Sequence, residues 1–181
     1  GPLVSAGAND IFLARYGAAG EALSSRRFGS TAADYAVDLK LDPSGDLLLL
    51  GAFGAAIDIG GQLLPPAKHS TFVAKLSPSG DPLWAKAIGA EGMQGPRHHL
   101  AVDGAGNLLL AGSFDVQVNL GGETLLNDGP GEDVYIARWS PSGAHLFSKS
   151  YSGSGVQEVN AADVDAAGNL YVAGVLNGPV D

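Results

Sequence analysis

The sequence contains no cysteine, which excludes disulfides, thiolate metal sites and a cysteine nucleophile. Positive charge is scarce too. Lys+Arg number 10 against 19 Asp+Glu, for a formal charge of −9 and a pI of about 4.7. An acidic surface of this kind repels phosphate backbones, so no nucleic-acid partner is expected. No polybasic stretch marks a membrane surface, and no apolar run approaches the roughly 18 residues of a membrane helix. Membrane insertion is therefore not expected. No signal peptide is visible, and the lack of cysteine does not by itself fix a compartment. No Ser-His-Asp pattern, phosphate loop or dinucleotide fingerprint occurs in a suitable context. Low hydrophobicity combined with high charge is missing as well, which argues against disorder.

What the chain has instead is glycine (27 residues) and short Val/Leu/Ala runs, with 45% hydrophobic residues in 181. That is enough to bury the core of one domain or of a repeat array, and it suits many short strands joined by turns. The glycines are spaced. Gly20, Gly80 and Gly143 recur at steps of 60 and 63 residues; Gly45, Gly106 and Gly168 recur at 61 and 62. Each marks a hairpin turn, where a closing glycine supplies the positive φ that lets the second strand re-enter.

The first hairpin of each repeat is written Ile11-Phe-Leu-Ala-Arg-Tyr16, Thr71-Phe-Val-Ala-Lys-Leu76 and Val134-Tyr-Ile-Ala-Arg-Trp139, each followed by a turn and a second strand. The second hairpin pairs Ala36–Leu41 with Leu47–Phe53, Leu100–Val102 with Leu108–Phe114, and Ala162–Val164 with Leu170–Leu176. Runs such as Leu47-Leu-Leu-Leu50 do not alternate, which suits strands buried on both faces. Connections of about ten irregular residues (62–70 and 123–133) follow and differ most between copies, as binding loops on a repeated scaffold do. Four strands per repeat of about 61 residues predict an all-β fold whose four-stranded antiparallel units stack on one another, the pattern of β-propeller blades.

Asp103-Gly-Ala-Gly-Asn-Leu-Leu-Leu-Ala-Gly112 and Asp165-Ala-Ala-Gly-Asn-Leu-Tyr-Val-Ala-Gly174 resemble the bacterial SBBP-type β-propeller repeat, which is related to NHL repeats. Asp10-Ile-Phe-Leu-Ala-Arg15 and Asp133-Val-Tyr-Ile-Ala-Arg138 resemble it too, whereas the middle copy, His69-Ser-Thr-Phe-Val-Ala-Lys75, lacks the acidic residue. The resemblance covers nearly the whole chain. It implies that Ala36–Leu41 and its copies are innermost strands lining a channel, and that the protein is bacterial and exported to the periplasm, cell surface or exterior. It implies no particular chemistry.

Phe12 aligns with Phe72, and Val180-Asp181 with Ile57-Asp58. The expectation is two complete units, 30–90 and 91–152, flanked by hairpins 1–29 and 153–181 that are the two halves of one split unit. Three units are too few to close a ring. Two chains joined head to tail would give six blades, a homodimer; otherwise the chain is a piece of a longer array, or an excised or designed repeat unit with no ligand.

Candidate chemistry is sparse. The turns Asp42-Pro-Ser-Gly-Asp46, Asp103-Gly-Ala-Gly-Asn107 and Asp165-Ala-Ala-Gly-Asn169 have some calcium-loop character, but each offers at most two acidic or amide side chains, and the first Asp is expected to cap its own turn. His98-His99, preceded by Arg97, lie just before an inner strand, which the resemblance would set near one channel mouth; the matching pairs are Val37-Asp38 and Ala161-Ala162. Alternation would send the two histidines to opposite faces, so no shared metal is expected. Asp34, Asp38, Glu91, Glu158 and Asp163 form either a carboxylate ring or a solvated rim. His69 and His145 read as surface residues. Trp84, Trp139, Tyr16, Phe147 and Tyr151 read as packing between units, with a sugar-stacking platform as the alternative. The expected ligand residues are Arg97, His98, His99, Asp38 and Asp163. No cofactor is expected, and the ligand is a protein or a glycan. The expected function is a non-enzymatic binding module; a hydrolase or lyase working at the channel is the alternative.

Overall fold

A computed structural model describes residues 2–66, 70–91 and 98–178. Among these residues the protein is all β, with antiparallel sheets and no helix. The strands are β1 (Ile11–Tyr16), β2 (Ala22–Phe28), β3 (Asp34–Leu41), β4 (Leu47–Phe53), β5 (Ile57–Asp58), β6 (Leu63–Leu64), β7 (Ser70–Leu76) and β8 (Pro82–Glu91). They continue as β9 (His98–Val102), β10 (Leu108–Phe114), β11 (Gln117–Asn119), β12 (Leu125–Leu126), β13 (Asp133–Trp139), β14 (His145–Tyr151), β15 (Val156–Val164) and β16 (Leu170–Asn177).

Two units repeat the same order. One sheet runs β14-β13-β10-β9, and another contains β8-β7-β4-β3. β1–β2 and β15–β16 are separate two-stranded sheets at the two ends of this series. The third-to-fourth-strand hairpins share a detail: a bulge sits at Arg15/Tyr16, at Lys75/Leu76 and at Arg138/Trp139. One extra residue at the same place strengthens the local twist in each copy. The six turn glycines, Gly20, Gly45, Gly80, Gly106, Gly143 and Gly168, hold φ between 78° and 86°. Any side chain there would be strained.

The leucine runs are buried on both faces. Leu48 and Leu50 enter one core cluster, with Leu100, Leu110, Phe114, Tyr135 and Trp139. Leu49 enters the other, with Phe53, Ile57, Phe72 and Leu76, and Leu47 packs against it. The two clusters lie on opposite sides of β4, so each inter-unit layer is held by apolar burial worth about 1.5–3 kcal/mol per large side chain.

Three expectations need correction. The connections are not wholly irregular, because β6 and β12 lie within them. One sheet has six strands rather than four: the β11–β12 hairpin adds to the free edge of β8, with Val118 opposite Ala90. The edge of an outermost strand presents unpaired amides and carbonyls, and a short hairpin satisfies them. The inner strands also start earlier, at Asp34, His98 and Val156. His98 and His99 are therefore strand residues rather than loop residues. Their register sets His99 level with Asp38 and Ala161, and His98 level with Ala36 and Val159. Val37 and Asn160 are skipped at bulges between them. No closed barrel or ring is formed by the described residues.

Candidate functional site

The three Asp turns are built from the inside. Asp42 Oδ1 accepts from the amides of Ser44 and Asp46, Asp103 Oδ1 from those of Ala105 and Asn107, and Asp165 Oδ1 from those of Ala167 and Asn169. In the two complete sheets the second carboxylate oxygen of that Asp reaches a cation on the third strand, whereas Asp165 Oδ2 accepts from the Asn169 side-chain amide and the Tyr171 hydroxyl. Lys75 Nζ lies 2.8 Å from Asp42 and 3.2 Å from Asp46, and the Arg138 guanidinium pairs with Asp103. These carboxylates cap and clamp; among the described residues no group of three His, Asp or Glu side chains is arranged to hold a metal. Burial opposes ionisation of Asp42, but Lys75 and the turn amides outweigh it and hold its carboxyl below the usual range. Replacing Lys75 by methionine keeps the stem and removes the charge. The expected loss is about 2 kcal/mol, the cost of leaving a buried carboxylate oxygen without its partner, read from the urea midpoint.

Arg97 and His69 lie outside the described residues. His98 is buried, with Nδ1 2.9 Å from the Tyr135 hydroxyl, while Nε2 has no partner. The pair fits because Gly112 lies beneath it: a Cβ there would run into the imidazole and come within 2.7 Å of the Tyr135 oxygen. Burial, with the neighbouring His99 adding to it, pushes the His98 pKa down to about 4. Burial also pushes the Tyr135 hydroxyl up. This histidine is sealed in the core, and His99 is only partly exposed on the opposite face.

The side chain of Glu91 lies outside the described residues, and the other four carboxylates do not share one environment. Asp34 is buried, accepting from the Ser30 amide and hydroxyl and from the Gly54 amide. Asp38 Oδ2 accepts from the Leu100 amide at 3.0 Å, tying β3 to β9, while its other oxygen accepts from the Leu39 amide and lies 3.4 Å from Lys40. Asp163 Oδ1 accepts from the Val164 amide. Glu158 is partly buried on β15. His145 Nε2 lies 3.1 Å from Ser148 Oγ and is partly buried. Trp139 is buried and donates to the Leu120 carbonyl at 2.8 Å; Trp84 donates to the Pro141 carbonyl of the next unit. Both tryptophans stitch elements together.

The features that stand apart are the open strand edges. Among the described residues β1 pairs only with β2, and β16 only with β15. Phe12 is 70% exposed, whereas Phe72 and Tyr135, at the same repeat position, are 0% exposed. Tyr16 is exposed where Leu76 and Trp139 are buried, and Leu176 where Phe53 and Phe114 are buried. On β3, Leu39 and Leu41 are exposed, although Leu100, the counterpart of Leu39, is fully buried. A cleft of about 510 Å³ opens between β1, β2 and β3, lined by Leu13, Tyr16, Leu39, Leu41 and Leu47 among others. An apolar face of this extent beside the bare edge of β1 is an interaction surface by its chemistry.

Comparison with family models finds no match for this chain, and comparison with curated proteins finds none either.

Proposed function

We propose that the protein is a β-propeller-type binding module, bacterial and exported, that acts by association rather than catalysis and closes its ring with a second copy of itself. One observation carries the reading: residues buried in the two four-stranded units are exposed at the same repeat positions in the two end hairpins. Each end hairpin is two strands wide where its counterparts are four strands wide. Two strands from each of two chains restore the count, and three units per chain become six in a ring. A protein or glycan ligand then binds at the variable connections or the channel mouth, where His99, Asp38 and Asp163 lie on the inner strands. Binding is favoured over a hydrolase or lyase because the titratable groups with strong partners are committed to structure. Asp42 and Asp103 clamp turns, and His98 and Tyr135 sit in a sealed layer.

Light scattering after size exclusion tests the closure. The expected mass is twice 18.3 kDa at micromolar concentration. A monodisperse monomer at those concentrations would sink the closure.

A further inference from the structure

The two bare edges carry matched features that appear together only in the complete sheets. In those sheets the second strand pairs with the third in one register: Leu47 opposite Leu76 through Phe53 opposite Ser70, and Leu108 opposite Trp139 through Phe114 opposite Asp133. β16 is the counterpart of β4 and β10, because Gly174 aligns with Gly51 and Gly112. β1 is the counterpart of β7 and β13, because Phe12 aligns with Phe72 and Tyr135.

We infer that β16 of one copy pairs antiparallel with β1 of a second copy in that same register, with Leu170 opposite Tyr16, Val172 opposite Ala14 and Gly174 opposite Phe12. The inference rests on the self-association proposed above and fixes which surfaces meet and how.

Three complementarities support it, each from different chemistry. The first is steric. An aromatic of the third strand lies over a glycine of the second in both complete sheets; a Cβ on Gly51 would be 2.5 Å from the Phe72 ring, and one on Gly112 would be 2.7 Å from the Tyr135 hydroxyl. In the end hairpins the aromatic, Phe12, is on one edge strand and the glycine, Gly174, is on the other. The second is electrostatic. Lys75 and Arg138 clamp the turn carboxylates Asp42 and Asp103 across their sheets. The counterparts are Arg15, exposed on β1, and Asp165, in the β15–β16 turn. The third is between units: Arg26 on an outer strand reaches Asp81 in the next turn at 2.6 Å. Its counterparts are Lys149 on β14 and Glu21 in the β1–β2 turn, both exposed. In the first two cases the two end hairpins carry opposite members of the pair; in the third, Glu21 is on the β1–β2 hairpin and Lys149 on the outermost strand of the complete sheet at the other end of the series.

The same placement covers the apolar cleft. β9 is packed by β3 on one side and by β15 on the other. A partner's β15 laid against β3 would cover Leu39 and Leu41 as β3 covers Leu100. β1–β2 packs beside β3, whereas β15–β16 packs on β9, β10 and β13. The two edges thus lie at different ends of one chain, and a second copy brings them together.

The chain has no cysteine, so crosslinking has no background. Ala14→Cys and Val172→Cys are made in separate chains, mixed and oxidised. Directly opposed residues in an antiparallel pair lie about 4.5–5.5 Å apart between Cα atoms, within disulfide range; a two-residue slip opens this to about 7–8 Å. The expected result is a linked pair of twice 18.3 kDa, formed at least about tenfold more than from Ala14→Cys with Leu170→Cys. Light scattering on the same variants separates the claims. A dimeric mass with no preference for the in-register pair overturns the register and leaves self-association standing. A monomeric mass overturns both.

Discussion

Replacing Phe72 by alanine is expected to lower stability by about 3–5 kcal/mol, while the same change at Phe12 leaves the isolated chain within about 1 kcal/mol of wild type and dissociates the dimer. The two residues hold one repeat position, so chemistry and local backbone are matched and only the surroundings differ. Phe72 is fully buried, stacks edge-on to Phe53 at 6.0 Å between ring centroids, and fills the layer that holds Ile57 and Leu76. Truncating it removes the transfer free energy of the ring and leaves a cavity that the flanking strands are too regular to fill. Phe12 faces solvent in the single chain, so its ring is not yet withdrawn from water. In the proposed dimer its burial comes with assembly, which sets it over Gly174 of the second copy. Urea midpoints measured well below the dimer dissociation constant, together with light scattering across a concentration series, separate the two effects. Equal losses of stability, or a Phe12→Ala protein that stays dimeric, would contradict the placement of Phe12 at the interface.

That contrast also shows what the sequence made legible. Hairpins, turns and the repeat of about 61 residues leave local marks: positive-φ glycines, an Asp two and four residues before the amides it caps, and apolar runs of strand length. The charge clamp was legible in principle. The basic residue of Ala14-Arg15, Ala74-Lys75 and Ala137-Arg138 recurs in step with the turn aspartates, and only its partner across the sheet was missing from a one-dimensional reading. The attachment of β11–β12 to β8 left no such mark, because strands of two and three residues have too little periodicity to register. His98 was misplaced for a related reason. Histidine has no strong strand preference, and its burial depends on a tyrosine 37 residues away and on the missing side chain of Gly112. Asp38 and Asp34 read alike in sequence, yet one ties two units together and the other closes a loop. Which amide a carboxylate finds is a property of the stacked units.

The buried histidine leads to the second large effect, which depends on pH. His98 has a folded pKa of about 4 against an ordinary value of 6.5, so between those limits the unfolded chain takes up a proton that the folded protein does not. Stability therefore falls as pH falls, at about 1.4 kcal/mol per pH unit, or roughly 3 kcal/mol across the window. The clamped carboxylates do not share this window. Against the opposing effect of burial, Lys75 and the turn amides hold Asp42 below 3.8, and Asn107, with Arg138 adding to it, holds Asp103 below 3.8; the stability they contribute is lost only at lower pH. Asp133 acts in the opposite sense: burial raises its pKa, so the folded protein takes up that proton first and gains stability on acidification, which offsets part of the loss. A double variant isolates the histidine. His98→Ala with Tyr135→Phe reproduces the trio Ala36, Gly51 and Phe72 already present in the neighbouring unit, and it removes the titrating group together with its hydroxyl partner. Wild type is expected to lose about 3 kcal/mol more than this variant between pH 6.5 and pH 4. Parallel stability curves for the two proteins would mean that His98 is charged, or open to water, in the folded state.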